Sequence, residues 1–219
     1  MDKKILIAPS TDPVKTVHEI IDYAESIKHN ADFLHCDIMD GSFVENKTYS
    51  YTTLGLINEK TLLPLDVHLM ISNPSKYIDK FLQAGANILT VHYEAYKNKK
   101  KLIKDLEHIR ESGTLSGLSI KPKTPVSEIL SYLSYTDIVL VMSVEPGKSG
   151  QQFIEDTYQK VVQLNKIKTD YNVDFKIEVD GGVNHDISTK LKKYGVDILV
   201  SGSYIYKSDD RLVAISNLR

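Results

Sequence analysis

The chain has 219 residues, of which 42% are hydrophobic and 26% charged, a composition typical of a globular protein with a substantial core. Its 27 basic and 29 acidic residues nearly cancel to a formal charge of -2, and no basic block with interleaved aromatic residues argues for a nucleic-acid partner. No apolar run reaches the roughly 20 residues of a membrane span or resembles a signal peptide, and one cysteine excludes an internal disulfide, so we expect a soluble, cytoplasmic protein.

Strand and helix signals alternate from the first strand to the last helix. The helix at 13–28, for example, rests on apolar residues that repeat every 3.6 positions. Strands are predicted at 4–9, in the first part of 31–46, and at 64–71, 87–92, 115–121, 136–142, 174–180 and 196–201. Helices are predicted at 13–28, 51–60, 73–84, 98–112, 126–133, 155–170, 184–194 and 208–218.

Eight strand-helix units of about 27 residues, with no Gly/Pro/Ser-rich linker between them, predict a single (β/α)8 TIM barrel over residues 1–219. A doubly wound open sheet is the alternative fold. Its usual dinucleotide fingerprint, G-x-G-x-x-G after the first strand, is absent from this sequence.

The C-terminal strand ends carry an unusual share of polar side chains. In the second strand, His35 and Asp37 are two residues apart and so share one face, whereas Cys36 points away and is expected to pack against helices. Because active sites of TIM barrels lie at this end, these strand ends are interpreted together. They contribute Ser10, His35, Asp37, Met39, His68, Met70, His92, Met142, Asp180, Gly181, Gly182, Gly202 and Ser203.

Each of these residues has an ordinary structural interpretation. A single histidine is more often hydrogen-bonded structure than a ligand, a methionine is usually core filling, and a glycine often serves a tight turn. The coincidence of two histidines and two aspartates on the second, third and seventh strands favours a common metal or proton-transfer site.

The sequence resembles the ribulose-phosphate 3-epimerase family nearly from end to end. The most specific segments are His-Cys-Asp-Ile-Met-Asp-Gly at 35–41 and Asp-Val-His-Leu-Met at 66–70. Supporting segments are Ala-Pro-Ser at 8–10, Val-His-Tyr-Glu at 91–94, Val-Met-Ser-Val-Glu-Pro-Gly at 141–147, Gly-Gln at 150–151, Val-Asp-Gly-Gly at 179–182 and Ser-Gly-Ser at 201–203.

The resemblance implies a reaction of the pentose phosphate pathway, the interconversion of D-ribulose 5-phosphate and D-xylulose 5-phosphate at C3. Inversion requires a proton to leave one face and return to the other, so the enediolate intermediate needs two acid/base groups. By matching motif these are Asp37 and Asp180. A likeness to this family also implies homo-oligomers, although no interface can be identified in the sequence.

The same resemblance makes His35, Asp37, His68 and Asp180 the ligands of one divalent metal ion per chain. Two imidazoles and two carboxylates suit Zn, Fe, Mn or Co without choosing among them. The ion is expected to hold the substrate's C2 and C3 oxygens and to stabilise the developing negative charge.

The remaining matched residues imply contacts with the sugar phosphate. Ser10 and His68 match substrate-contacting positions, and a sulfur-rich lining consists of Met39, Met70 and Met142. The phosphate is expected at Gly181, Gly182, Gly202 and Ser203, after the seventh and eighth strands. A mobile loop that closes over the substrate matches Gly147, Lys148, Ser149 and Gly150, where Lys148 replaces an aromatic residue usual in the family.

Three alternatives remain open. A sister epimerase acting on allulose 6-phosphate shares the same chemistry and motifs. A related phosphate-binding barrel lyase is less favoured, because those barrels carry Asp-x-Lys-x-x-Asp on a strand, and the segment Asp37 to Asp40 has no such lysine. A non-catalytic sugar-phosphate sensor would need a broken acid/base pair, and the pair is intact.

Overall fold

A computed structural model describes residues 4–219, in which strands and helices alternate along the chain. The strands are β1 (Leu6–Pro9), β2 (Leu34–Met39), β3 (Leu65–Met70), β4 (Ala86–His92), β5 (Leu115–Ile120), β6 (Ile138–Met142), β7 (Lys176–Asp180) and β8 (Ile198–Ser201). The α-helices are α1 (Val17–Ile27), α2 (Tyr51–Lys60), α3 (Ile78–Gln83), α4 (Lys99–Glu111), α5 (Asp156–Tyr171), α6 (His185–Lys193), α7 (Ser203–Tyr206) and α8 (Arg211–Leu218). Three 3₁₀ helices span Pro74–Lys76, Tyr93–Ala95 and Val126–Tyr135.

The strands form one parallel sheet in the order β1-β8-β7-β6-β5-β4-β3-β2. The sheet closes where β1 meets β2, through a parallel bridge between Ser10 and His35 and a 2.9 Å hydrogen bond from the Thr11 N–H to the His35 carbonyl. The predicted (β/α)8 barrel is therefore confirmed. Closure leaves the C-terminal ends of the strands around a single mouth.

Local chemistry explains where the elements differ from their predicted bounds. The first helix begins at Val17, inside the predicted 13–28, because Thr16 and Glu19 form a reciprocal capping box there. The segment predicted at 126–133 is a 3₁₀ helix that follows Pro125. The helix predicted at 73–84 is divided at Tyr77 into a 3₁₀ turn and α3. The four-residue α7 was not predicted.

Most of the core lies between the sheet and the surrounding helices. Outward-facing strand residues such as Cys36, Val67 and Val179 are fully buried there. A second, smaller cluster lies in the barrel interior and consists of Ala8, Ile88, Ile138, Ile198 and Val200. Around this cluster the interior also holds polar side chains, which positions ionisable groups beneath the mouth.

Within residues 4–219, no helix has the length and apolar character that a bilayer crossing would require.

Candidate active site

Strand alternation brings the four predicted ligand residues to the barrel mouth. Adjacent strands β2 and β3 supply His35, Asp37 and His68, which are almost completely buried. The seventh strand supplies Asp180 at its last position, where the side chain is 15% exposed. The structure therefore brings together residues that are distant in the sequence and share only their position at strand ends.

One donor atom from each of these side chains lies within 4.8 Å of all the others. Nδ1 of His68 is 3.1 Å from Oδ1 of Asp37, and Nε2 of His35 is 3.3 Å from the same oxygen. Oδ2 of Asp180 is 4.0 Å from each of these nitrogens. Ligands at 2.0–2.1 Å around a tetrahedral ion are roughly 3.3 Å apart, so this cluster has the size of a first-row metal site.

Two buried acidic side chains, those of Asp66 and Glu178, lie close to Nδ1 of His35. Nδ1 of His35 lies 2.5 Å from Oδ2 of the buried Asp66, which leaves Nε2 directed toward the mouth. Burial lowers the pKa of His35, but the carboxylates of Asp66 and Asp37 outweigh burial and raise that pKa well above its usual range. The local field therefore favours positive charge at this point of the barrel.

Glu178 is the deeper of these two acids. Its Oε1 lies 3.9 Å from Nδ1 of His35. In the described part of the chain, neither carboxyl oxygen has a partner that meets strict hydrogen-bond geometry. Burial and the charge of Asp66 raise the pKa of Glu178 well above its usual range, so this group is held in its neutral form.

The ring of His68 is held from its other side by a second histidine. Its Nε2 lies 2.9 Å from Nε2 of His92, whose Nδ1 lies 3.1 Å from Oε2 of Glu94. Burial lowers the pKa of His92 to about 4, and it also lowers the pKa of His68 despite the opposing charge of Asp37. Both imidazoles are therefore neutral near pH 7.

The two aspartates have opposite protonation tendencies. Burial opposes the charge on Asp37, but His35 and His68 outweigh it and hold the pKa of Asp37 far below its usual range. Burial, followed by the neighbouring charge of Asp37, raises the pKa of Asp180 to about 8. One carboxyl group is thus ionised at neutral pH while the other retains a proton.

These residues fit a divalent metal ion. In the described chain, Nε2 of His35 is buried without a hydrogen-bond partner, although it faces Asp37. The charge of Asp37 disfavours ionisation of the neighbouring Asp180, and a cation held between the two carboxyl groups would offset that repulsion. Imidazole nitrogens with carboxylate oxygens suit Zn, Fe, Mn or Co and do not distinguish among them.

The other predicted site residues line the same cleft. Its lining includes Ser10, Met39, Met70, Met142, Gly147, Lys148, Ser149, Gly150, Gly181, Gly182, Gly202 and Ser203. Ser10 also donates a 2.8 Å hydrogen bond from Oγ to Oδ2 of Asp37. A Cβ at Gly182, where φ is +64°, would lie 2.9 Å from the backbone nitrogen of Phe153, so this turn requires glycine.

The loop at 145–151 covers the cleft and is fastened at several points. Nδ2 of Asn46 donates to the carbonyl of Gly147 at 2.6 Å. Nε2 of Gln151 donates to the carbonyls of Glu145 and Lys148, which fixes the shape of the loop. Burial raises the pKa of Asp12, and the nearby Ser149 opposes this effect, which places the serine close to that carboxyl group.

Sequence reasoning missed Asp66, Glu178, Glu94 and Asp12. A signal for the first two was available, because Asp66 precedes His68, and Glu178 precedes Asp180, by the two positions that keep side chains on one strand face. No comparable signal identified the carboxylate of Asp12, since its contact with Ser149 depends on how two loops meet.

Residues 6–206 match the sequence model of the Ribulose-phosphate 3 epimerase family. The chain is 42% identical over 185 residues to the ribulose-phosphate 3-epimerase of Aquifex aeolicus, covering 84% of this chain and 82% of that protein. It is 38% identical over 214 residues to the enzyme of the same name from Mycobacterium bovis, covering 98% and 91%. The Bacillus subtilis enzyme of that name is 40% identical over 193 residues, with 88% of each chain covered.

Similar solved structures support the fold at low sequence identity. A 3-hexulose-6-phosphate synthase superimposes with a TM-score of 0.72 and 13% identity, over 98% of this chain and 97% of that chain. KGPDC from Streptococcus mutans gives a TM-score of 0.67 and 13% identity, over 98% and 96%. These likenesses establish the barrel architecture alone.

Proposed function

The chain belongs to the ribulose-phosphate 3-epimerase family and is an isomerase, and from this premise we propose that it interconverts D-ribulose 5-phosphate and D-xylulose 5-phosphate by inverting C3. The observation that carries the proposal is the convergence of Asp37 and Asp180 on one point at the barrel mouth. The two carboxyl groups come from strands three places apart, so they can act on a bound substrate from different directions.

The placement of the two aspartates supports a division of work between them. The C3 proton is acidic because it lies beside the C2 ketone. One aspartate, as the carboxylate, removes that proton from one face, and the other, in its acid form, returns one to the opposite face. In the reverse direction the roles exchange. Ser10 holds Oδ2 of Asp37 at 2.8 Å and so fixes the direction of its carboxylate.

The proposed ligands of one divalent ion per chain are His35, Asp37, His68 and Asp180. When bound, the ion supplies electrostatic stabilisation of the charge that develops on the substrate oxygens. The side chains of Met39, Met70 and Met142 line the cleft. Their thioethers exclude water from the reacting carbons and carry no proton that would compete with the aspartates.

The proposed phosphate site is the other end of the cleft, at Gly181, Gly182, Gly202 and Ser203. Glycine lets the backbone approach an anion closely, and barrels commonly bind phosphate after the seventh and eighth strands. The loop at 147–150 would cover the sugar, with the ammonium group of Lys148 available to the phosphate.

Allulose 6-phosphate is the competing substrate, because the same acid/base pair can invert C3 of either ketose phosphate. The deciding experiment measures turnover of both compounds side by side on protein of known metal content. Exchange of the C3 hydrogen with deuterated solvent is followed by NMR, since proton abstraction requires it. We expect faster turnover of ribulose 5-phosphate with deuterium at C3 of the product. Equal or faster turnover of the hexulose phosphate would reassign the substrate.

A further inference from the structure

A chain of buried polar groups leads away from His68 on the side opposite the cleft. It runs from Nε2 of His68 to Nε2 of His92 at 2.9 Å, and from Nδ1 of His92 to Oε2 of Glu94 at 3.1 Å. Both rings are fully buried, and the Glu94 side chain is 21% exposed. The four proposed ligands do not include His92 or Glu94, so this relay needs an explanation of its own.

The far end of the relay is fixed by the loop that follows β5. Oε1 of Glu94 accepts hydrogen bonds from the Lys121 N–H at 2.8 Å and from Oγ1 of Thr124 at 2.5 Å. The ammonium group of Lys160 holds this loop in place by donating to its backbone carbonyls. Glu94 therefore presents its second oxygen to His92 in a fixed direction.

The charge of Glu94 sets the direction of every hydrogen bond in the relay. Burial opposes ionisation, but His92 and the loop donors outweigh it and lower the pKa of Glu94 to about 2. An ionised carboxylate only accepts, so Nδ1 of His92 carries the proton. A His92 ring whose proton lies on Nδ1 has its lone pair on Nε2, and because the two Nε2 atoms are 2.9 Å apart, this lone pair accepts from Nε2 of His68. The remaining nitrogen of His68, Nδ1, lies 3.1 Å from Oδ1 of Asp37, so the relay competes with that carboxylate for the position of the His68 proton, and a proton on Nε2 leaves the Nδ1 lone pair for a metal ion.

We propose that Glu94 and His92 are positioning residues that fix the tautomer of His68, so that its Nδ1 is ready to bind the metal ion. Asp66 does the same for His35 in a single step, through its contact with Nδ1. Histidine ligands generally depend on such outer partners, and their loss weakens metal binding by about 10–100-fold. The inference rests on the proposed metal site, but the tautomer of His68 can be measured without substrate or metal.

Glu94→Gln is the variant that separates tautomer control from packing. Its amide oxygen can still accept from Lys121 and Thr124, while its NH₂ group now faces Nδ1 of His92. Nδ1 must then accept, so Nε2 of His92 becomes the donor, and the proton of His68 moves to Nδ1. A proton at that atom blocks the metal position.

Two further variants complete the design. Thr124→Val removes a hydrogen bond to the same carboxylate on the oxygen that faces away from His92, and is the matched control. His92→Phe removes both ring nitrogens but keeps an aromatic ring beside Phe43, whose ring centroid lies 4.8 Å from that of His92. This variant replaces Glu94→Gln in the test if Glu94→Gln does not fold.

The measurements are the ¹H–¹⁵N histidine correlations of the full chain and the Kd for Co(II) from competition with a chelator. We expect a larger fraction of His68 to be protonated on Nε2 in the wild type than in Glu94→Gln, in which the proton moves to Nδ1 and toward Asp37. The Kd should weaken by about 10–100-fold in Glu94→Gln and His92→Phe, and by less than about twofold in Thr124→Val.

The proposal is overturned if Glu94→Gln keeps the wild-type tautomer and Kd, or if Thr124→Val weakens the Kd as much as Glu94→Gln does. If the wild type binds no divalent ion, the proposed metal function fails, and the tautomer comparison alone decides whether the relay controls His68.

Discussion

The carboxylates of Asp37 and Asp180 approach the same imidazole nitrogen, Nε2 of His35, at 3.3 and 4.0 Å, although their strands stand three places apart in the barrel. Their pKa values move in opposite directions, far below the usual range for Asp37 and to about 8 for Asp180. Carboxyl pairs separated in this way are suited to opposed acid and base roles.

Asp37→Asn and Asp180→Asn should each lower kcat by about 10²–10⁴-fold, because an amide cannot remove or deliver the C3 proton. Circular dichroism and thermal unfolding should show that both variants are folded. The control is Asp22→Asn, the same chemical change at an exposed helical position whose side chain is 67% accessible. Near-normal turnover in either site variant would mean that the two-base assignment is wrong.

Metal removal should stop the reaction reversibly. Dialysis against a chelator is expected to abolish turnover, and Zn, Mn, Co or Fe(II) should restore it, because the proposed ligands His35, Asp37, His68 and Asp180 can then bind a cation again. The measurement is kcat against metal content determined by mass spectrometry. Activity that survives complete chelation would exclude an electrostatic role of the ion.

Metal affinity should depend on pH with a defined sign. Asp180 has a pKa raised to about 8, so below that pH the ion must displace its proton. The ring of His35, whose pKa is also raised, must likewise lose its proton to bind the ion, so apparent Kd values are expected to tighten as pH rises from 6 to 8, by about tenfold per pH unit for each displaced proton. Calorimetry in two buffers of different ionisation enthalpy measures the proton release. A Kd that is flat across this range would contradict the coupling.

Gly182→Ala should destabilise the fold and weaken substrate binding. The backbone has φ +64° there, which costs a residue with a Cβ about 1–3 kcal/mol, and the new atom would crowd Phe153. Gly55→Ala is the matched control, since nothing lies within 4 Å of its added Cβ on helix α2, and it should stabilise by about 0.5–1 kcal/mol. Denaturant unfolding measures the change in stability of each variant, and KM measures the change in substrate binding. Equal effects from both substitutions would contradict the special role of this turn.

Cys36 should not react in the folded protein. Burial raises the pKa of its thiol to about 12, and the side chain is completely covered by the outer core. A colorimetric thiol reagent at pH 8 is expected to modify the wild type only after unfolding, whereas a Leu62→Cys variant, at a position 82% exposed, should react at once. Rapid labelling of the native wild type would show that the β2 region opens.

The fold was accessible from the sequence because each barrel strand is a short apolar run followed by a turn. Helix ends were harder to predict, since they depend on single contacts such as the capping box of Thr16 and Glu19. The 3₁₀ form of Val126–Tyr135 and the four residues of α7 leave no distinct periodic pattern in the sequence.

The residues of the candidate site that lie in recognisable sequence motifs could be predicted from the sequence. Strand alternation identified His35 and Asp37 as neighbours, and resemblance joined them to His68 and Asp180. The outer contacts could not be predicted in this way, because Glu94 meets the Lys121 N–H only when β4 and β5 are paired. Such contacts follow from strand register and loop approach, and no local pattern specifies them.

The order of the proposed ligands along the chain has a consequence for biogenesis. Three of them lie between His35 and His68, and the fourth, Asp180, is synthesised more than 100 residues later. A growing chain can therefore present only a partial set of donors until β7 has joined the sheet. With the proposed ligands, a full set of four donors exists only after the barrel has closed, so a chain that holds the ion through all four has completed folding.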